Sequence, residues 1–153
     1  MKIKYLVMDV DGTLTDGKIY IGNKGEMMKA FSIKDGCGIH DLLIPSGIQP
    51  IIITGRKSKI LLKRCKELGI KRIYQNVKDK KEILKSISEE LNTFAYIGDD
   101  INDLPVMQLI KDAGGLIGCP SDAVLKVKTI SNFVSEYKGG SGAVRDFIEF
   151  LLK

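Results

Sequence analysis

Five short runs of apolar residues recur along the chain: IKYLVMD (Ile3 to Asp9), QPIIITG (Gln49 to Gly55), IKRIYQ (Ile70 to Gln75), TFAYIGDD (Thr93 to Asp100) and GGLIG (Gly114 to Gly118). A strand with one wet face alternates apolar and polar side chains. A run that is apolar at nearly every position belongs to a strand buried on both faces, as in a parallel sheet covered by helices. Segments of helical spacing lie between the runs. SKILLKRCKELG sets Ile60, Leu61, Arg64, Cys65 and Leu68 on one face, with Gly69 as a stop. DKKEILKSISEEL sets Ile83, Leu84, Ile87 and Leu91 on one face behind Asp79 as N-cap. NDLPVMQLIKDAG carries Leu104, Met107 and Leu109, and GAVRDFIEFLLK is amphipathic.

Strand–helix alternation of this kind predicts an α/β fold, a three-layer Rossmann-like parallel sheet with helices on both faces. One stretch breaks the pattern. KIYIGNKGEMMKAFSI has two strand-like runs around GNKG, which predicts a β-hairpin flap over about residues 17–33, directly after the first strand. With 153 residues and no repeat or linker, one domain over 1–153 is expected.

Composition removes several classes of function. A chain that is 44% hydrophobic and 28% charged is an ordinary globular protein. No apolar run nears the ~20 residues of a membrane span. The first strand run starts at Ile3, which leaves no room for a signal peptide, so a cytoplasmic protein without membrane contact is expected. The net charge is +5, but the basic residues of RKSKILLKRCK and KDKKEILK alternate with apolar ones, as on solvated helix faces, and no nucleic-acid motif accompanies them. Cys37, Cys65 and Cys119 are odd in number and far apart, and His40 is the sole histidine. That pattern argues against a zinc site or a disulfide framework and for free thiols, buried or half-buried.

Ligands of open α/β sheets sit at the carboxyl ends of the strands. The first strand brings Asp9 and Asp11 there; the second brings Thr54, Gly55 and Arg56; the fourth brings Gly98, Asp99, Asp100 and, a turn later, Asp103. The helix after the third begins near Asp79 and Lys80. Singly, each residue suits a turn or a cap. Together, the carboxylates repel one another and resist ionising unless a cation neutralises them. A hard divalent ion with oxygen ligands resolves the conflict, and Mg²⁺ retains positions for water and a phosphate oxygen.

DVDGTLTDG, ITGR, Lys80 and GDDINDLP resemble, in order, the four motifs of the haloacid dehalogenase-like phosphatase superfamily, across essentially the whole chain. DGKIYIGNKGEMMKAFSIKDGCGI, ITGRKSK, RIYQNVKDKK, YIGDDINDLPVM and GGSGAVRDFIEFLL look like its capless sugar-acid subfamily, the 3-deoxy-D-manno-octulosonate 8-phosphate (KDO 8-phosphate) phosphatases. The resemblance implies that Asp9 is the nucleophile, esterified as an aspartyl-phosphate, and that Asp11 acts as general acid and then as base. It implies Mg²⁺ on the Asp9 carboxylate, the Asp11 backbone carbonyl and the Asp99 carboxylate, with Asp103 orienting that shell. Thr54, the Gly55 amide and Lys80 would hold the phosphoryl group, and Lys80 would also pair with Asp9.

The implied substrate is a phosphorylated sugar acid, KDO 8-phosphate, in lipopolysaccharide precursor synthesis. Nine-carbon sialic-type acid 9-phosphates, or a non-catalytic assembly role like that of domains related to sugar-nucleotide transferases, are the alternatives. Arg56 matches the eight-carbon enzymes, whose nine-carbon relatives carry glutamate, so a contact with the substrate carboxylate is implied. So is a homotetramer in which a neighbour covers the open site. Many members continue into a tail beyond the point where this chain closes, at Lys153, and product release without that tail is the expectation.

Overall fold

The computed structural model describes residues 2–153. Strand β1 (Tyr5–Met8) is flanked in parallel by β4 (Gln49–Ile53) and β6 (Phe94–Ile97). Strands β5 (Arg72–Tyr74), β7 (Leu116–Cys119) and β8 (Phe133–Val134) complete a parallel sheet of order β5-β4-β1-β6-β7-β8. The strand order reverses at β1, because the chain builds outward on the β4 side first and on the β6 side afterwards. Diverging connections leave a crevice there, and the ends of β1, β4 and β6 border it.

Side chains alternate between two cores, as a doubly covered sheet requires. Leu6, Met8, Ile52, Ala95 and Ile97 face one core, with Leu61, Cys65 and Leu68 of α2 (Lys59–Leu68) and Val144, Phe147 and Ile148 of α6 (Ala143–Leu151). Val7, Ile51, Ile53, Phe94 and Tyr96 face the other. There they meet Leu84 of α3 (Lys80–Ile87), Val106, Met107 and Ile110 of α4 (Leu104–Asp112) and Val127 of α5 (Leu125–Ile130). The expected three layers are therefore present. Ser58 caps α2 through Leu61 N–H, Gly69 ends that helix in the left-handed region, and Asp79 caps α3 through Lys81 N–H.

The flap is the antiparallel pair β2 (Tyr20–Gly22) and β3 (Gly25–Met28), which forms its own small sheet. It ends earlier than expected, because Ile33 already opens a helix, α1 (Ile33–Cys37), continued by a π-helical segment over Gly38–Leu43 and a 3₁₀ turn over Ile44–Ser46. The glycines of KDGCGIH hide this helix in the sequence. They lie close against neighbouring helices: a Cβ at Gly36 would meet the end of the Arg64 side chain, and one at Gly38 the Arg145 side chain.

Other differences are local. Helix α3 stops at Ile87, so Leu91 sits in a separate 3₁₀ turn. Helix α4 buries Val106, Met107 and Ile110, leaving Leu104 and Leu109 at the margin. The two-residue β8 and the six-residue α5 are too short to show a period. Cys65 and Cys119 are buried, but Cys37 is exposed. Among the described residues no helix is long and apolar enough to cross a membrane.

Candidate active site

Strand β1 delivers Asp9 to the crevice with its N–H still bonded to Ile97 O (3.1 Å). The chain then turns sharply, and the N–H groups of Thr13, Leu14 and Thr15 all reach Val10 O. Gly12 makes the turn possible. Its φ is +91°, and a Cβ there would overlap the Asp99 carboxylate. Asp99 follows β6 and accepts a hydrogen bond from the Thr13 hydroxyl (3.1 Å).

Asp103 is fully buried, and four donors occupy it. Its Oδ2 accepts from the N–H groups of Asp99 (2.9 Å) and Asp100 (3.1 Å); its Oδ1 accepts from the Tyr96 hydroxyl (2.5 Å) and Lys80 Nζ (2.8 Å). Lys80, the first residue of α3, is itself buried. It also donates to Asp9 Oδ1 (3.0 Å) and to the Tyr96 hydroxyl oxygen (3.2 Å).

One carboxylate oxygen from each of Asp9, Asp99 and Asp103 lies within 4.8 Å of the other two. Burial, and then the charge of Asp103, push Asp9 up to about 6 despite Lys80. Burial, followed by the charges of Asp9 and Asp103, pushes Asp99 up to about 8. For Lys80, burial favours the neutral amine, but Asp9 and Asp103 outweigh it and hold the ammonium. The protein alone thus disfavours the charged forms of Asp9 and Asp99, and a cation between them would offset that cost. Because Asp103 is saturated by its four donors, these two retain oxygens for a cation, and the all-oxygen donor set fits a hard divalent ion such as Mg²⁺.

The other expected residues fall around this centre. The Asp11 carboxylate is not part of the acidic trio. Its Oδ1 pairs with Lys29 Nζ (2.7 Å), and its Oδ2 lies 3.8 Å from Arg56 Nε. Thr54 is buried, its N–H bonded to Tyr74 O (2.9 Å) and its carbonyl to Val77 N–H (3.1 Å), so the β4 end is pinned on both sides. Gly55 and Arg56 beyond it are exposed. Sequence reasoning missed Tyr96, Lys29 and Glu26. Tyr96 had a signal: a phenol inside an otherwise apolar strand run needs a buried partner for its hydroxyl. The flap residues had none, since a Lys three residues from a Glu is ordinary on any surface.

No family model matches the chain. A protein of Yersinia pestis, "3-deoxy-D-manno-octulosonate 8-phosphate phosphatase KdsC", is 42% identical over 154 residues, covering 98% of this chain and 80% of the relative. The chain belongs to the KDO 8-phosphate phosphatase family. That family lies in the haloacid dehalogenase-like superfamily.

Two solved KDO 8-phosphate phosphatases place the fold beside this one. The Moraxella catarrhalis enzyme, in complex with magnesium ion, phosphate ion and a KDO molecule, superposes with a TM-score of 0.90 at 38% identity, over 98% of this chain and 86% of its own. The cobalt-bound Haemophilus influenzae enzyme gives 0.89 at 35% identity, over 99% of this chain and 88% of its own. Magnesium and cobalt are both ions that carboxylate oxygens accept.

Proposed function

We propose that this chain is a Mg²⁺-dependent phosphatase that hydrolyses KDO 8-phosphate to the free sugar acid and inorganic phosphate. The observation that carries the reading is the buried Asp9–Lys80–Asp103 array beside Asp99, at the strand ends of a chain 42% identical to a phosphatase of that name. Asp9 attacks the phosphorus, and the bond to the sugar oxygen breaks. Asp11 gives that oxygen a proton, then takes one from the water that cleaves the aspartyl-phosphate, which regenerates Asp9 and frees phosphate. Lys80 orients Asp9 and offsets the cost of keeping it ionised in a buried place. Thr54 and the Gly55 amide receive phosphoryl oxygens. The Asp9 and Asp99 carboxylates and the Asp11 backbone carbonyl would hold Mg²⁺, which when bound would neutralise charge on the transferring group.

Arg56 is proposed to contact the substrate carboxylate. It is half-exposed at the mouth of the crevice, within 3.8 Å of Asp11. Arg56→Glu is expected to raise KM for the eight-carbon substrate about tenfold or more, a loss of ~1.4 kcal/mol of binding, with kcat nearly unchanged. Unaltered KM removes Arg56 from substrate recognition.

A homotetramer is the proposed assembly. Ile21 and Met27 are each 70% exposed on the flap, with Ile19 and Met28 beside them, an apolar surface suited to burial against a neighbour. A monomeric mass by light scattering, with full activity, refutes this. The free thiols Cys37, Cys65 and Cys119 suit a reducing cytoplasm. Phosphate release from eight- and nine-carbon keto-acid phosphates, with Mg²⁺ or with chelator, tests the function. Metal-dependent preference for the eight-carbon ester is expected, and failure to hydrolyse either ester refutes the reading.

A further inference from the structure

Lys29 lies one residue past β3, on the returning arm of the flap, and its side chain is only 7% exposed. A buried ammonium is costly unless it is paired. Lys29 has two partners: Asp11 Oδ1 at 2.7 Å and Glu26 Oε1 at 2.8 Å. The other oxygen of Glu26 accepts from the Ser58 hydroxyl at 2.5 Å, and Ser58 N–H donates to Gln75 Oε1 at 2.6 Å. A polar chain therefore runs from Asp11 through the flap to the N-cap of α2. It ends at Gln75, just past β5. It braces the loop that carries Thr54, Gly55 and Arg56.

We infer that Lys29 is a positioning residue for the reaction. It fixes the Asp11 side chain by holding Oδ1, and it leaves Oδ2 as the atom that exchanges the proton. The inference rests on the proposed function. Asp11 stands in a turn beyond the strand end, and among the described residues Lys29 is the side chain that hydrogen-bonds its carboxylate. Arg56 cannot do this work, because at 3.8 Å and half-exposed it is a loose partner. A general acid acts only within hydrogen-bond reach of the atom it serves, and a displacement of ~1 Å costs about 100-fold in rate. The flap is then part of the acid–base machinery as well as a wall of the site, since its position sets the position of Lys29.

The test compares Lys29→Met and Lys29→Arg with the native enzyme at saturating Mg²⁺, on the eight-carbon sugar phosphate and on p-nitrophenyl phosphate. Nitrophenolate leaves without help from an acid, so esterification of Asp9 by the aryl ester should survive in Lys29→Met. Hydrolysis of the aspartyl-phosphate still needs Asp11 as base and should not. The expected result is a burst of about one nitrophenolate per site followed by slow turnover, with kcat for the sugar phosphate down about 100-fold and KM within about threefold. Lys29→Arg should recover part of the rate. Lys29→Gln carries the same expectation if Lys29→Met fails to fold. An unchanged kcat, a change confined to KM, or loss of the burst together with the steady rate overturns the inference while leaving the phosphatase reading intact. Native enzyme that hydrolyses neither ester overturns that reading, and the inference falls with it.

Discussion

Asp9→Asn is expected to yield a folded protein with kcat lower by about 10⁴-fold or more, the scale seen when a covalent nucleophile is removed. The amide is nearly isosteric and can still accept from Lys80, but it cannot form the phosphoester. The same substitution should stabilise the metal-free protein, and the sign follows from the carboxyl groups. Asp9 and Asp99 hold protons in the folded state up to about 6 and about 8, whereas the unfolded chain releases them near the ordinary value of 3.8. The favourable contribution is complete below about pH 4 and is lost as pH rises through about 8. Metal-free native protein should therefore melt at lower temperature as pH rises over that window, and Asp9→Asn should melt higher than native by a margin that grows with pH. Asp35, buried beneath α6 and pushed up to about 6 chiefly by burial, adds the same trend to both proteins, so the diagnostic quantity is the difference between them. Added Mg²⁺ should raise the native melting temperature most at high pH. Calorimetry at about pH 5.5 and about pH 8.5, with and without Mg²⁺, reads both effects. Equal melting of the two proteins across the range contradicts the idea that Asp9 and Asp99 crowd one another.

Lys80→Met should produce the largest loss of stability of any single change at the site. The ammonium is 4% exposed and joins Asp9 to Asp103, which are 7% and 0% exposed. Methionine keeps the length but leaves two buried carboxylates without their shared cation. Breaking a buried ion pair from one side costs about 3–5 kcal/mol. Asp103 keeps its bonds to Tyr96 and two N–H groups, which places the expected loss toward the lower end of that range. Turnover should fall by about 10³-fold as well, because an electrostatic group on the transferring phosphoryl is lost. Urea unfolding at neutral pH gives the first number and steady-state kinetics the second. A loss under about 1 kcal/mol, the scale of a solvent-exposed pair, contradicts a buried Asp9–Lys80–Asp103 array.

The sheet and the motif residues could be read from the sequence for physical reasons. Runs apolar at nearly every position announce doubly buried strands, and acidic or glycine residues at their ends stand out against that background. Asp9, Lys80, Asp99 and Asp103 lie together, and Thr54 follows the neighbouring strand β4. The hidden parts were those whose local signals point elsewhere. The helix from Ile33 is built around Gly36 and Gly38, which mark a turn by propensity and a close helix crossing in fact. Strand β8 consists of two residues, held by Asn132 as much as by its own pairing. The grip of Lys29 on Asp11 joins residues 18 positions apart through a flap whose docking no local pattern encodes. Tyr96 was visible only as a phenol among aliphatic neighbours.

The most direct measurement is to quench the enzyme with acid during turnover of the eight-carbon keto-acid phosphate with Mg²⁺ and to map the peptides by mass. Phosphate carried on Asp9, absent in Asp9→Asn and absent when the metal is chelated, is the predicted result. Brisk turnover with phosphate trapped on another residue, or unimpaired turnover by Asp9→Asn, contradicts it.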